Sequence, residues 1–315
     1  MASHPGAAAQ RRALGCGRIG VVQEAASVTP ELSDCIQRLR SALAKHVRLL
    51  DGLIAALIQH KSATALRSEE EAVPGELGSV LAPMLQAAGS SSGTLISLSK
   101  APGLHTRDCY TIARSIVEVS INACFIIAEG PAAAERAMRH ARQKSYRDLK
   151  RESVVGDNII WLFHTGASDP ENIEGLREAI DEFTSAAGRE KGWTDLSVDA
   201  RMARVGSRFG ESVITPLHWA RFAVYRHSSE ILHGTLFGAL YFFGHTTPKR
   251  PSSVEEFTES LGQQHMMILL ACILALSAVV KCFHAAYGFS RALEATQRIV
   301  KGLDQLAYFQ QRAAE

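Results

Sequence analysis

The sequence has little of what would announce an activity. Its 34 Lys and Arg against 32 Asp and Glu leave a net charge of +2. That is too mild to attract nucleic acid by bulk charge, so any such role must rest on a local patch. The six cysteines are Cys16, Cys35, Cys109, Cys124, Cys272 and Cys282, and no two of them stand as C-x-x-C. Four lie in apolar helical stretches and read as reduced, buried thiols of a cytoplasmic protein. No glycine-rich loop carries the lysine and preceding strand of a phosphate cradle, and Ser228 and Ser229 lack a G-x-S-x-G setting. His218, His227, His233 and His245 lack the i, i+4 pairing of a helical zinc site, and a spacing of six turns His227 and His233 about 120° apart. No metal and no cofactor is therefore expected.

Long apolar runs are also missing. The longest, Met266 to Val280, stops at Lys281, short of the roughly twenty residues a membrane span needs. It reads as a core helix, with no membrane span. Arg11, Arg12 and Arg18 precede no apolar stretch of signal-peptide length, and Ala13-Leu14-Gly15-Cys16 lacks the apolar run of a lipoprotein signal. Residues 1–27 read as a disordered tail. No alternation of apolar and polar residues runs long enough for a sheet, and no repeat of fixed period is present.

What is there is helical. Hydrophobic residues make up 46% and charged residues 21%, the balance of a globular chain. Thr29-Pro30-Glu31 is a helix start, with a cap, a proline where its missing N–H costs nothing, and an early acid. Leu32, Ile36, Leu39, Leu43, Val47, Leu50, Ile54 and Leu57 then form one stripe, predicting an amphipathic helix to about His60. After a loop over 61–75, two shorter helices are expected, split by Gly89-Ser90-Ser91-Ser92-Gly93. Thr106 to Glu129, closed by Gly130-Pro131, is a strong helix. A basic helix over about 132–152 follows, then one from Asp169-Pro170-Glu171 to Gly188, a loop around Trp193, and a short helix over Ser197–Val205. Thr215-Pro216 opens a helix through His233 towards Phe243, and helices over 254–289 and 291–312 complete the chain. The fold class is all-α: a multi-helix bundle with long antiparallel helices, one domain over 28–315.

Two helices carry polar residues that invite chemistry. On the first, Arg114, Glu118 and Asn122 are spaced by four and share one face among apolar neighbours. They are either a buried ion pair that fixes helix register or the wall of a site. The second runs Tyr225-Arg226-His227-Ser228-Ser229-Glu230-Ile231-Leu232-His233-Gly234. Arg226 and His233 are seven apart, so they project from one face about 10 Å apart, with Glu230 within reach of both. A cation for phosphate, a carboxylate and an imidazole able to move protons share one helix. An exposed Arg–Glu pair beside a core histidine would have the same spacing. The stretch 136–151 is strongly basic and is either a solvated face or a surface that tracks phosphates.

The Arg114-x-x-x-Glu118 helix and the Tyr225-x-x-x-Ser229-x-x-x-His233-Gly234 helix, with Trp193 before it, resemble a bacterial all-helical family filed as a domain of unknown function. The resemblance spans about residues 35–290 and implies the helical fold without an assigned activity. The second segment also resembles the signature of the HEPN superfamily, an arginine and a polar residue followed by a histidine. Arg226, His227 and His233 fit it. That resemblance implies a metal-independent endoribonuclease or RNA-binding effector of a toxin–antitoxin or antiphage system, acting as a homodimer. Arg226, His233 and Glu230 would be catalytic; Arg114, Glu118, Asn122, Tyr225, His227 and Ser229 would bind. The alternative is a non-catalytic helical interaction or sensor module, partnered by a protein of the same operon.

Overall fold

The computed structural model describes residues 28–59, 73–149, 151–161, 172–241 and 251–304. Among them are the helices α1 (Pro30–Gln59), α2 (Gly75–Leu98), α3 (Thr106–Glu129), α4 (Pro131–Leu149), α5 (Leu176–Glu182), α6 (Val198–Phe209), α7 (Glu211–Leu232), α8 (Leu236–Tyr241), α9 (Val254–Tyr287) and α10 (Ser290–Asp304). Two short strands, β1 (Glu152–Val155) and β2 (Asn158–Trp161), form an antiparallel hairpin. The molecule is the all-α multi-helix bundle the periodicity implies.

The core is built on α9 and α3. The α9 helix packs on α1, α3, α7 and α10, and α3 packs in addition on α2, α6 and α7. The α1 stripe is buried at Leu32, Ile36, Leu39, Leu43, Leu50 and Leu57. Thr29 begins α1 by accepting the Ser33 N–H at its carbonyl, while its side chain and N–H both bond Glu259 of α9. Gly262 of α9 lets α1 approach closely, since a Cβ there would meet the Leu32 side chain at 2.7 Å. Contacts between α1 and α9 pair Thr29 with Glu259 and His46 with Ser277, so these helices run parallel. Between α3 and α7 they pair Tyr110 with His227 and Arg114 with Tyr225, so that pair is antiparallel.

Several expected boundaries shift. The Gly89–Gly93 run does not break α2. Ser92 donates to the Ala88 carbonyl (2.7 Å), and Ser97 to that of Gly93 (3.1 Å), so the hydroxyls fold back onto the helix. Burial of Leu85, Ala88 and Leu95 on either side holds the helix through a stretch of low propensity. Pro216 does not start α7; it lies inside it. Its ring leaves the Ser212 carbonyl without the usual i+4 N–H, and Lys281 of α9 donates to that oxygen instead (2.9 Å). The helix begins at Gly210, whose φ of 78° turns the chain out of α6, and ends at His233-Gly234, so α8 is a separate element. The basic helix ends at Leu149, and Glu152, expected at its end, opens β1. The hairpin escapes an alternation test because its apolar residues come as doublets, Val154-Val155 and Ile159-Ile160, around a Gly156-Asp157 turn. Asp169-Pro170-Glu171 lies outside the described residues, and α5 is confined to Leu176–Glu182.

Two helices, α3 and α9, are long and apolar enough to cross a membrane by length and composition, and 78% of the most apolar window of α9 is buried inside the bundle. Cys35, Cys109, Cys124, Cys272 and Cys282 are free and buried, and burial pushes the Cys109 thiol up to about 12. Two core imidazoles are held neutral. His46 donates from Nδ1 to the Ala42 carbonyl (3.1 Å), and its Nε2 lies within hydrogen-bond distance of the Ser277 hydroxyl (3.0 Å). Burial pushes its pKa down to about 4. His265 bonds Thr106 through Nδ1 (2.9 Å) and faces Cys109 with Nε2 (3.6 Å). Burial, with His105 nearby, lowers it to about 4 as well.

Candidate functional site

Where α3, α6 and α7 meet, polar side chains from all three converge. The i, i+4 spacing on α3 forms its pair, with Arg114 Nε donating to Glu118 Oε1 at 2.9 Å. Arg114 also donates from Nη2 to the Tyr225 hydroxyl of α7 (3.2 Å), and its guanidinium carbon lies 4.3 Å from the Tyr225 ring centre. Burial works against this charge, but Glu118 and Tyr225 outweigh it and hold the guanidinium above its usual range. The side chains are 18% and 38% exposed. The pair therefore sits on the rim of the bundle, where part of the charge stays solvated, and not among the apolar residues of α3.

Asn122, one turn further along α3, accepts a hydrogen bond from Arg201 of α6. Arg221 of α7 grips Asp199 through both terminal nitrogens, and its guanidinium carbon is 5.2 Å from the same Tyr225 ring. Arg114, Arg201 and Arg221 thus stand against Glu118 and Asp199, a surplus of one positive charge. Arg201 is the uncompensated member. It makes no ion pair among the described residues, and its Nε is buried without a hydrogen-bond partner. Burial lowers its pKa in spite of Glu118 and Tyr225. Asp199, Arg201 and Arg221 were not among the residues singled out from sequence. Arg221-x-x-x-Tyr225 repeats the spacing of Arg114-x-x-x-Glu118 and was the available signal.

The α7 motif divides. Tyr225 turns to Arg114. His227 stacks on Tyr241 of α8 (4.2 Å between ring centres, 22° between planes) and meets Tyr110 edge-on, with its Nδ1 buried and unbonded. Burial and then Arg226 lower its pKa. Ser229 is half-buried, and its carbonyl accepts the His233 N–H (3.0 Å). Glu230 reaches neither Arg226 nor His233. Its carboxylate accepts from the Thr235 hydroxyl (2.7 Å) and its carbonyl from the Thr235 N–H, which fixes the α7–α8 corner. Arg226 and His233 are exposed and make no ion pair among the described residues. Phe222, Arg226, Ser229 and His233 follow one another in steps of four, three and four, so they form one outward stripe. Phe222 is 85% exposed.

Much of the basic α4 surface is already neutralised. Arg139 pairs with Glu182 (2.9 Å), Arg136 faces Glu182 (3.5 Å), and Lys144 faces Glu190 (3.4 Å). Tyr146 is buried. No group of three His, Cys, Asp or Glu side chains converges to hold a metal ion among the described residues.

Helices packed round α9, with an arginine-rich junction on one flank, make this a helical bundle protein. A family model described as "Family of unknown function (DUF5677)" matches residues 79–250, more than half of the chain, and the chain belongs to that family. The match takes in α3, α6 and α7, and with them the whole polar junction. No curated protein and no solved structure matches the chain.

Proposed function

We propose that the chain is a cytoplasmic RNA-engaging effector, a metal-independent endoribonuclease of HEPN-like type, whose working surface is the outward stripe of α7. The observation that supports this most is the isolation of Arg226 and His233. Both project from one face without partners among the described residues, while Tyr225, His227 and Glu230 of the same motif are engaged elsewhere. An exposed aromatic at Phe222 beside a cation and an imidazole suits a stacked base and its phosphate. His233 takes the proton from a ribose 2′-hydroxyl as that oxygen attacks phosphorus. The P–O5′ bond breaks, and the proton passes to the leaving 5′-oxygen, giving a 2′,3′-cyclic phosphate and a 5′-hydroxyl. Arg226 holds the non-bridging oxygens. Glu230, through Thr235, positions the corner that carries His233. A homodimer joined through Trp219, Phe222, Leu232 and Leu236, all exposed, would bring two copies of Arg226 and His233 together.

The second reading is a non-catalytic interaction or sensor module with a protein partner of the same operon. It is favoured by the apolar exposure at the α7–α8 corner, where Leu232 is 55% and Leu236 73% exposed. Incubating the purified chain with structured and single-stranded RNAs in EDTA separates the two. Cleavage to cyclic-phosphate ends is expected, with His233→Ala losing on the order of 10²–10⁴ in rate. If no RNA is cut, or the variant cuts equally well, the interaction module stands in its place.

A further inference from the structure

Between the end of α3, the start of α4 and the segment leading into α6 lies an open groove of about 400 Å³. Its wall is Trp193, half-buried and held from three sides. Phe125 meets the ring edge-on (5.8 Å), the Arg201 guanidinium carbon lies 5.9 Å from the ring centre, and Arg136 donates to the Trp193 carbonyl (2.8 Å). An indole fixed in this way presents a flat face without the entropy cost of ordering it on binding. Two charged side chains of the lining remain uncommitted. Arg204, one turn beyond Arg201 on α6, and Glu129, at the end of α3, are exposed and make no ion pair among the described residues. Arg136, by contrast, faces Glu182 and Asp195.

The groove thus offers a π-face, a guanidinium and a carboxylate in one volume, within the range of small-molecule sites. Those groups match a planar ring, an anion and a hydrogen-bond donor, a combination found in a nucleotide with an exocyclic amino group. We propose that the groove binds such a nucleotide, its base against Trp193, its amino group donating to Glu129 and its phosphate on Arg204. This site is separate from the α7 stripe and does not depend on RNA cleavage there. The nucleotide is either free or the phosphorylated end of a strand.

The test titrates the full chain with AMP, UMP, adenosine, inorganic phosphate and a 5′-phosphorylated oligoadenylate, following tryptophan fluorescence and heat. AMP or the oligoadenylate should bind and quench fluorescence. The free nucleotide is the ligand if AMP suffices, and the strand end if only the oligomer binds. Adenosine and phosphate should each bind at least about tenfold more weakly, because each lacks one of the two anchors. Arg204→Glu should weaken the nucleotide by a similar factor, Trp193→Phe should remove most of the quenching, and Glu129→Gln should weaken AMP while sparing UMP, which has no exocyclic amine. Arg298→Ala, an exposed arginine on α10, should leave binding unchanged. The proposal falls if neither AMP nor the oligomer binds, or if Arg204→Glu and Trp193→Leu, shown folded by their melting curves, bind as the parent does.

Discussion

At the scale of single residues, the molecule satisfies local defects with distant side chains. The clearest case is Lys281, which donates across the bundle to the carbonyl that Pro216 leaves open. Burial lowers the lysine pKa. Lys281→Met should cost about 0.5–1.5 kcal/mol, the net worth of one hydrogen bond whose acceptor water can otherwise reach. Pro216→Ala restores the local N–H, so in that background Lys281→Met should cost less. A denaturant-melting cycle of the parent, both single variants and the double variant reads the coupling directly. The same scale shows what was legible from sequence. Arg114 and Glu118 are neighbours by helical spacing alone, and they pair as that spacing implies. The Asn122–Arg201 and Arg221–Asp199 contacts join positions 79 and 22 residues apart and leave no trace in a local pattern.

At the scale of elements, helices were readable wherever a stripe of apolar residues had one clear face, as in α1 and α3. Their ends were less so, because the deciding contacts come from other elements. The α2 helix crosses a Gly-Ser run because packing holds both flanks, and α7 stops short of Phe243 because the chain folds back on itself. That reversal depends on Gly238. A Cβ there would lie 2.5 Å from the Glu230 carbonyl oxygen, with backbone on both sides and no flexible side chain to yield. Gly238→Ala should therefore push α8 off the end of α7. The expected result is a melting temperature several degrees lower, since about 1 kcal/mol shifts a chain of this size by a few degrees. It should also loosen the Glu230–Thr235 bond and with it the placement of His233. If the RNA-cleavage reading is right, cleavage in this variant should fall more than its loss of stability accounts for.

At the scale of the whole molecule, the bundle follows from composition and periodicity, but its closure does not. That α9 runs parallel to α1 is set by long-range pairing, which no window of sequence contains. Two of the seams on α9 contain a neutral histidine, and this has a consequence for acid stability. His46 and His265 each have a folded pKa near 4 against an ordinary 6.5. Above pH 6.5 neither state binds the proton, and the stability is intact. As the pH falls from 6.5 towards 4 the unfolded chain protonates while the folded chain resists, so stability drops. The combined loss across that window is on the order of 3–6 kcal/mol, with a slope approaching two protons. Chemical melts at half-unit steps of pH should show it. His46→Gln or His265→Asn should each remove about one proton from the slope, and an unchanged slope would mean that these imidazoles are already charged in the folded state.

The central position of α9 bears on what counts as a unit here. The family match ends at residue 250, before α9 begins, yet α3 and α7 both rest on that helix. The stretch that kinship marks out thus leaves out a helix on which its own members rest. Most of α9 fills space in the core, yet its Glu259, His265, Ser277 and Lys281 also hydrogen-bond the neighbouring helices, so the helix outside the match supplies specific contacts as well as bulk. A fragment cut at the end of the match would lay bare the faces of α3 and α7 that α9 now covers.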